Sequence, residues 1–175
     1  MHVGHTVHAV TEVEIVPLKA DEWMDLKRLR ITALTESPDS FSPTAESARA
    51  HDDDYWRRGA QRSADAANFE MFIVRRNGDA LGLASAHRAD DGVGHIGAMW
   101  VDPVLRGQGV GARLFDSVVA HLRTLGCATI ELSVTETNAV AIALYQSRGF
   151  VLTGKFEALR EGSSLKNLFM CWMRS

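Results

Sequence analysis

The sequence predicts one α/β domain, a mixed β-sheet with helices on both faces. Three observations carry this. The chain has 175 residues, enough for a single domain with its own core. Hydrophobic residues make up 46% and charged residues 23%, close to soluble globular averages, so disorder is not indicated. Strands joined by tight turns give way to strand–helix–strand units, in the order β-α-α-β-β-β-α-β-α-β-β.

The elements follow in chain order. VEIVPL (Val13–Leu18) reads as a short strand ended by Pro17. In ADEWMDLKRLRITALTESP the apolar residues Trp23, Leu26, Leu29, Ile31 and Leu34 recur near helical spacing, acids occupy the first turn, and Pro38 stops the helix. SPDSFSP is a loop, and one polar helix is expected from Thr44 to Arg62. FEMFIVRR, NGD and ALGLASAHR read as strand, Asn-Gly turn and strand. DDG makes a further turn, and HIGAMWVDP is a strand ended by Pro103. After a glycine-rich loop, Val110, Leu114, Val118, Leu122 and Leu125 mark a helix face closed by Gly126. CATIELSV is a buried strand, Asn138 to Arg148 a helix, and FVLTGKF and LKNLFMCWM the last two strands.

Charge and composition exclude several classes. The net charge is −3 and Lys and Arg form no long run, which argues against a nucleic-acid partner. No apolar stretch is long enough to span a bilayer, and MHVGHTVHAVTEV lacks the pattern of a secretory signal. Cys127 and Cys171 each lie in an apolar run and read as buried thiols of a reducing compartment. These features predict a cytoplasmic protein: a flexible leader at residues 1–11 and one domain at 12–175. His2, His5 and His8 have the residue type of metal ligands but no rigid scaffold, so no metal is expected. The acids of HDDDYWRR read as a solvated helix start, with attraction of a cationic acceptor as the alternative.

The chemistry concentrates in VLRGQGVGARLF (Val104–Phe115). Glycines before a helix N-terminus expose backbone N–H groups where a diphosphate can approach. Two readings share that physics. Gly107-x-Gly109-x-x-Ala112 fits a dinucleotide fingerprint, with Glu131 as the ribose acid. Yet Asp102 to Arg106 separates the first glycine from its strand, and Glu131 lies inside a strand instead of at its end. Arg106-x-x-Gly109-x-Gly111 fits an acyl-CoA pyrophosphate loop.

MWVDPVLRGQGVGARLF resembles motif A of the GNAT N-acetyltransferase superfamily, apolar-x-V-x-P-x-x-R-G-x-G-I/V-G. NAVAIALYQSRGF, which begins about 27 residues after Gly111, resembles its motif B, N-x-x-A-x-x-L-Y-x-x-x-G-F. The resemblance covers roughly Val13 to Met173 and implies the GNAT fold: α/β of the α+β type, with a mixed, mostly antiparallel sheet of about seven strands.

That resemblance implies acetyl-CoA as cosubstrate and a primary amine, on a small molecule or a peptide, as acceptor. It implies that the backbone N–H groups of Arg106, Gly107, Gln108, Gly109, Val110 and Gly111, extending to Ala112, hold the pyrophosphate, with the Arg106 side chain near it. Met99 and Val101, flanking Trp100, would offer backbone groups to the pantetheine arm. Asn138 would touch that arm, although the residue type equally suits an N-cap. Tyr145 would protonate the leaving thiolate; by spacing alone it is a core aromatic beside Ala141 and Leu144. His95 stands where some members carry a glutamate base, and strict alternation would put it on one face with Gly97, Met99 and Val101. The alternative for His95 is a half-solvated strand-end histidine. Glu70 and His87 are weaker base candidates, and many members use ordered water. The SPDSFSP loop would shape the acceptor site, with Phe41 and Trp56 as lining candidates. Analogy with the family also suggests a homodimer. A non-catalytic acyl-CoA sensor on the same fold is the first alternative function, and a dinucleotide-dependent oxidoreductase the second.

Overall fold

The computed structural model describes residues 12–174. The expected leader, with His2, His5 and His8, lies outside the described residues. Seven strands form one sheet: β1 (Glu14–Pro17), β2 (Phe69–Arg76), β3 (Asp79–Arg88), β4 (Gly94–Val101), β5 (Thr129–Thr135), β6 (Val151–Ala158) and β7 (Lys166–Met173). Their spatial order is β1-β2-β3-β4-β5-β7-β6. Only β4 and β5 pair in parallel. The expected mixed, mostly antiparallel sheet is therefore what the chain forms.

The turn chemistry explains the hairpins. Asn77 and Gly78 both take positive φ (57° and 85°), as a two-residue type I′ turn requires, and Arg76 pairs with Asp79 across it. The helix α4 (Val110–Thr124) makes the crossover that a parallel β4–β5 pair demands. Its buried stripe of Val110, Leu114, Val118 and Leu122 packs on one face of the sheet, joined by Phe115 and by Tyr145 of α5 (Ala139–Ser147). The opposite face carries α1 (Trp23–Glu36) and α3 (Asp53–Asp65), whose Leu26, Leu29, Trp56 and Ala60 pack on Ile73, Leu83 and Trp100.

The single helix expected over Thr44–Arg62 is two helices. A short α2 (Ala45–Arg49) starts on a Thr44 cap, and the chain restarts at α3 with Asp52 as N-cap, its carboxylate accepting from Tyr55 N at 2.8 Å. A side-chain acceptor aimed at a free backbone N–H favours a new helix start over continuation. The acidic run thus lies at a helix start, Asp52 as cap and Asp53 and Asp54 in the first turn. Among the described residues no helix is long and apolar enough to cross a membrane.

Candidate active site

The loop after β4 begins with a tight turn over Pro103–Leu105. Asp102 Oδ1 accepts from Val104 N (3.0 Å), and Arg106 N donates to Pro103 O (3.2 Å). That last bond removes Arg106 from the expected set of free donors. The first bond closing α4 is Arg113 N to Gly109 O (3.1 Å), so among the described residues the N–H groups from Gly107 to Ala112 have no backbone acceptor. Gly107 and Gly109 sit at φ +74° and +76°, where a side chain would be strained. A Cβ on Gly111 would meet nothing within 4 Å. A row of free donors at the positive end of a 15-residue helix, facing open space, suits a diphosphate.

β4 leads from this loop into a notch. It pairs with β5 only from Gly94–Ile130 to Ile96–Leu132, and then the two strands part while β5 stays on β7. Ala98 is the cause of the change in β4. It takes φ +53°, rare for a residue with a Cβ, and the β3 register jumps from Ser85–Gly97 to Leu83–Trp100. Asp102 N bonds Leu81 O, so alternation along β4 points the backbone groups of Met99 and Val101 into the notch.

The bulge also corrects the expected strand face. Trp100 packs with the α1 side of the sheet, while Ile96, Met99 and Val101 pack with the α4 side. One extra residue at Ala98 inverts the alternation, so His95 and Gly97 do not share a face with Met99 and Val101. His95 stacks with His87 at 6.2 Å and lines neither cavity described below. Glu70, His87 and Glu131 also line neither, and Glu131 sits within β5, opposite His95 in register.

α5 closes the notch. Asn138 caps it, Oδ1 accepting from Ala141 N at 3.2 Å. Tyr145 is only 6% exposed, and its ring lies 4.8 Å from that of Phe115. Its hydroxyl has no protein partner among the described residues. Burial pushes the phenol up to about 12. The ring packs as a core aromatic, and the residue also lines both cavities described below.

One contact had no sequence signal. Glu36, the last residue of α1, takes both ends of the Arg106 guanidinium, Nη1 to Oε1 at 3.0 Å and Nη2 to Oε2 at 2.7 Å. Arg106 Nε donates to Val101 O (2.9 Å), Trp100 Nε1 to Glu36 Oε2 (3.0 Å), and the Ser37 hydroxyl also donates to Glu36. The Arg106 hydrogen bond, helped by those of Ser37 and Trp100, holds the Glu36 carboxyl down to about 2. The Arg106 side chain is thus a brace between α1 and the loop. These partners are 70 residues apart in sequence, beyond any local pattern.

Two cavities meet here. The larger, about 460 Å³, runs along Met99–Val101, Arg106 and Gly111 to Asn138 and Tyr145. Its lining stops short of Gly107, Gln108, Gly109, Val110 and Ala112; Gln108 turns back to Val104 O (3.1 Å), and Val110 is core. The smaller, about 190 Å³, lies between the parted strands under the Ser40–Pro43 loop. Both share Phe41, Met99, Asn138 and Tyr145. Trp56 lines neither and is buried under α1.

Residues 30–150 match the family model of the acetyltransferase (GNAT) family. The mycothiol acetyltransferase of Thermobispora bispora is 33% identical over 128 residues, which cover 70% of this chain and 40% of that protein. The IAA acetyltransferase of Azospirillum brasilense is 31% identical over 90 residues, 51% of this chain and 59% of that one. The chain spans about two fifths of the length of the mycothiol acetyltransferases it matches. A GNAT-family acetyltransferase from Streptococcus pneumoniae has the same fold, with a TM-score of 0.78 at 19% identity over 93% of this chain and 99% of that one. So has the Salmonella typhimurium acetyltransferase yncA, solved with its cofactor acetyl-CoA, at TM-score 0.78 and 17% identity over 94% and 95%. The matched segment holds the glycine loop, the notch and the Tyr145 helix together, and the chain belongs to the GNAT acetyltransferase family.

Proposed function

We propose that the protein transfers the acetyl group of acetyl-CoA to a primary amine by direct attack in a ternary complex. The observation that carries this reading is the continuity of the larger cavity, which joins the Gly111 end of α4 to Tyr145. The free N–H groups from Gly107 to Ala112 would hold the pyrophosphate. Met99, with both backbone groups, and Val101, with its N–H, would pair with the pantetheine arm; the Val101 carbonyl is already taken by Arg106. Asn138 lines the same groove, with its Oδ1 taken by Ala141 N.

Acetyl-CoA supplies an activated acyl carbon and a thiolate leaving group. The amine nitrogen forms the new C–N bond, the C–S bond breaks, and Tyr145 gives its proton to the departing sulfur. A phenol near 12 is fully protonated at neutral pH, so the donor is always loaded. The proton lost by the amine returns to the phenolate through solvent, which balances the step. The smaller cavity has no Asp, Glu or His in its lining, and Asp39 on the wall of the larger is paired with Arg160 (3.4 Å), which favours an amine that arrives unprotonated over abstraction by a side chain.

Thermal shift with acetyl-CoA and with NAD, followed by thiol release over a panel of amines, tests the proposal. Stabilisation by acetyl-CoA near 100 times its Kd should be about 2.7 kcal/mol. Stabilisation by NAD alone would overturn it. Acetyl-CoA binding without thiol release for any amine would make the protein a sensor.

A further inference from the structure

Arg30 is the one charged residue among those lining the smaller cavity, and among the described residues it has no hydrogen-bond or ion-pair partner. Its Nη1 is sealed from solvent and has no hydrogen-bond acceptor. Among the described residues no carboxylate lies within ion-pair reach of it. The guanidinium rests over the Phe41 ring, 5.4 Å from its centroid. Burial pushes its pKa below the ordinary value, with Tyr55 opposing, yet a guanidinium remains a cation at any working pH. A half-buried guanidinium with one nitrogen sealed and unpartnered is costly, and an anion arriving with a ligand would offset that cost.

The surrounding groups suit such an anion. Asn167 Nδ2 donates to Ser42 Oγ at 3.1 Å, which leaves the Ser42 hydroxyl hydrogen free to donate. The Asn167 carbonyl is occupied by Thr135 Oγ1 (3.5 Å), so it does not offer a competing acceptor. Ser40 and Ser133 add hydroxyls, and no acidic side chain lines the space. Arg160 holds the roof in place, donating to Phe41 O (3.0 Å) and Pro38 O (2.8 Å). The volume of about 190 Å³ is below the ~300–1,000 Å³ of drug-sized sites, so the occupant is small.

We infer that the acceptor is a small amine carrying a carboxylate, of the amino-acid class. Its carboxylate is held by the Arg30 fork and the Ser42 hydroxyl, and its amine is turned toward Met99 and Tyr145, where the two cavities meet. This rests on the acetyltransfer reading above. A planar fork matches a carboxylate bidentately. A polyamine would bring a second positive charge against Arg30, so the same geometry disfavours it.

The experiment sets the common L-amino acids against their carboxamides, n-alkylamines and spermidine, with acetyl-CoA and thiol-release detection. Free carboxylates should exceed their matching carboxamides in kcat/KM by at least about tenfold. Arg30→Gln should bring that ratio within about twofold while KM for acetyl-CoA stays unchanged. Arg30→Lys, which keeps charge but loses the fork, should fall between. Equal or better turnover of carboxamides, alkylamines or spermidine by the wild-type protein overturns the inference without needing any variant. So does an Arg30→Gln protein that keeps the ratio, or no transfer to any carboxylate amine despite acetyl-CoA binding. Failure to bind acetyl-CoA at all overturns the acetyltransfer reading instead.

Discussion

The groove along β4 and the cavity beyond it meet at Tyr145, yet they are built from different materials. The groove offers backbone: free N–H groups at the start of α4, and the unpaired edge of β4 at Met99 and Val101. Its glycines matter for what they leave empty. The cavity offers side chains drawn from distant segments: Arg30 from α1, Phe41 and Ser42 from the following loop, Ser133 from β5 and Asn167 from β7. Backbone geometry survives most substitutions, whereas a side-chain wall changes with each one. The groove is therefore set by the path of the chain, and the cavity by its side chains.

Substitutions can break this contrast one end at a time. The largest effect belongs to the junction. Tyr145→Phe keeps the ring against Phe115 and removes only the proton, so kcat should fall by about 10² to 10⁴ while acetyl-CoA affinity holds. An unchanged kcat would take Tyr145 out of the mechanism. Next is the groove. Gly111→Leu puts a side chain into open space at a helical position with no strain, so stability should stay within about 1 kcal/mol of wild type. KM for acetyl-CoA should rise at least about tenfold, since the diphosphate and the new side chain claim one volume.

The pH profile gives a smaller effect and sharpens the cavity end. With no Asp, Glu or His on its wall, kcat/KM should climb through the pKa of the acceptor amine itself. His95→Gln should leave that profile unchanged and alter kcat by less than about threefold. A bend that disappears in His95→Gln would put the base on β4. The smallest effect concerns the brace. Glu36→Gln leaves the Arg106 fork with one charged partner fewer at a half-exposed site, a cost of about 1 kcal/mol in chemical denaturation at pH 7. Its sign with pH follows from the lowered carboxyl. The contribution is complete above about 4.3, the unfolded value, and is lost as pH falls toward about 2. The difference between wild type and variant should therefore be constant from pH 7 to about 5 and shrink below that.

The geometry of the glycine loop and of the Tyr145 helix was legible in the sequence because it depends on residues close together in the chain. Gly107, Gly109 and Gly111 announce free N–H groups, and Asn138 and Tyr145 sit seven positions apart on one short helix. What failed there was local as well: the Pro103 turn consumes the Arg106 N–H, a bond that a motif does not display. Ala98 was illegible for a different reason. Bulges are commonly marked by glycine, and an alanine at φ +53° leaves the apolar alternation looking regular, which misplaced His95. At the acceptor end almost nothing could be read. Arg30 on an amphipathic helix looks like any solvated cation, and its burial depends on Phe41, β4, β5 and β7 closing around it. Glu36 reaches Arg106 across 70 residues, and no spacing rule covers that distance.

The division of labour between groove and cavity is tested most directly by calorimetric titration of acetyl-CoA into wild type, Tyr145→Phe and Gly111→Leu. Wild type and Tyr145→Phe should bind one equivalent with Kd values within about twofold, and Gly111→Leu should bind at least about tenfold more weakly. Equal affinity in Gly111→Leu, or no binding by the wild-type protein, would contradict the assignment of the groove to the acetyl donor.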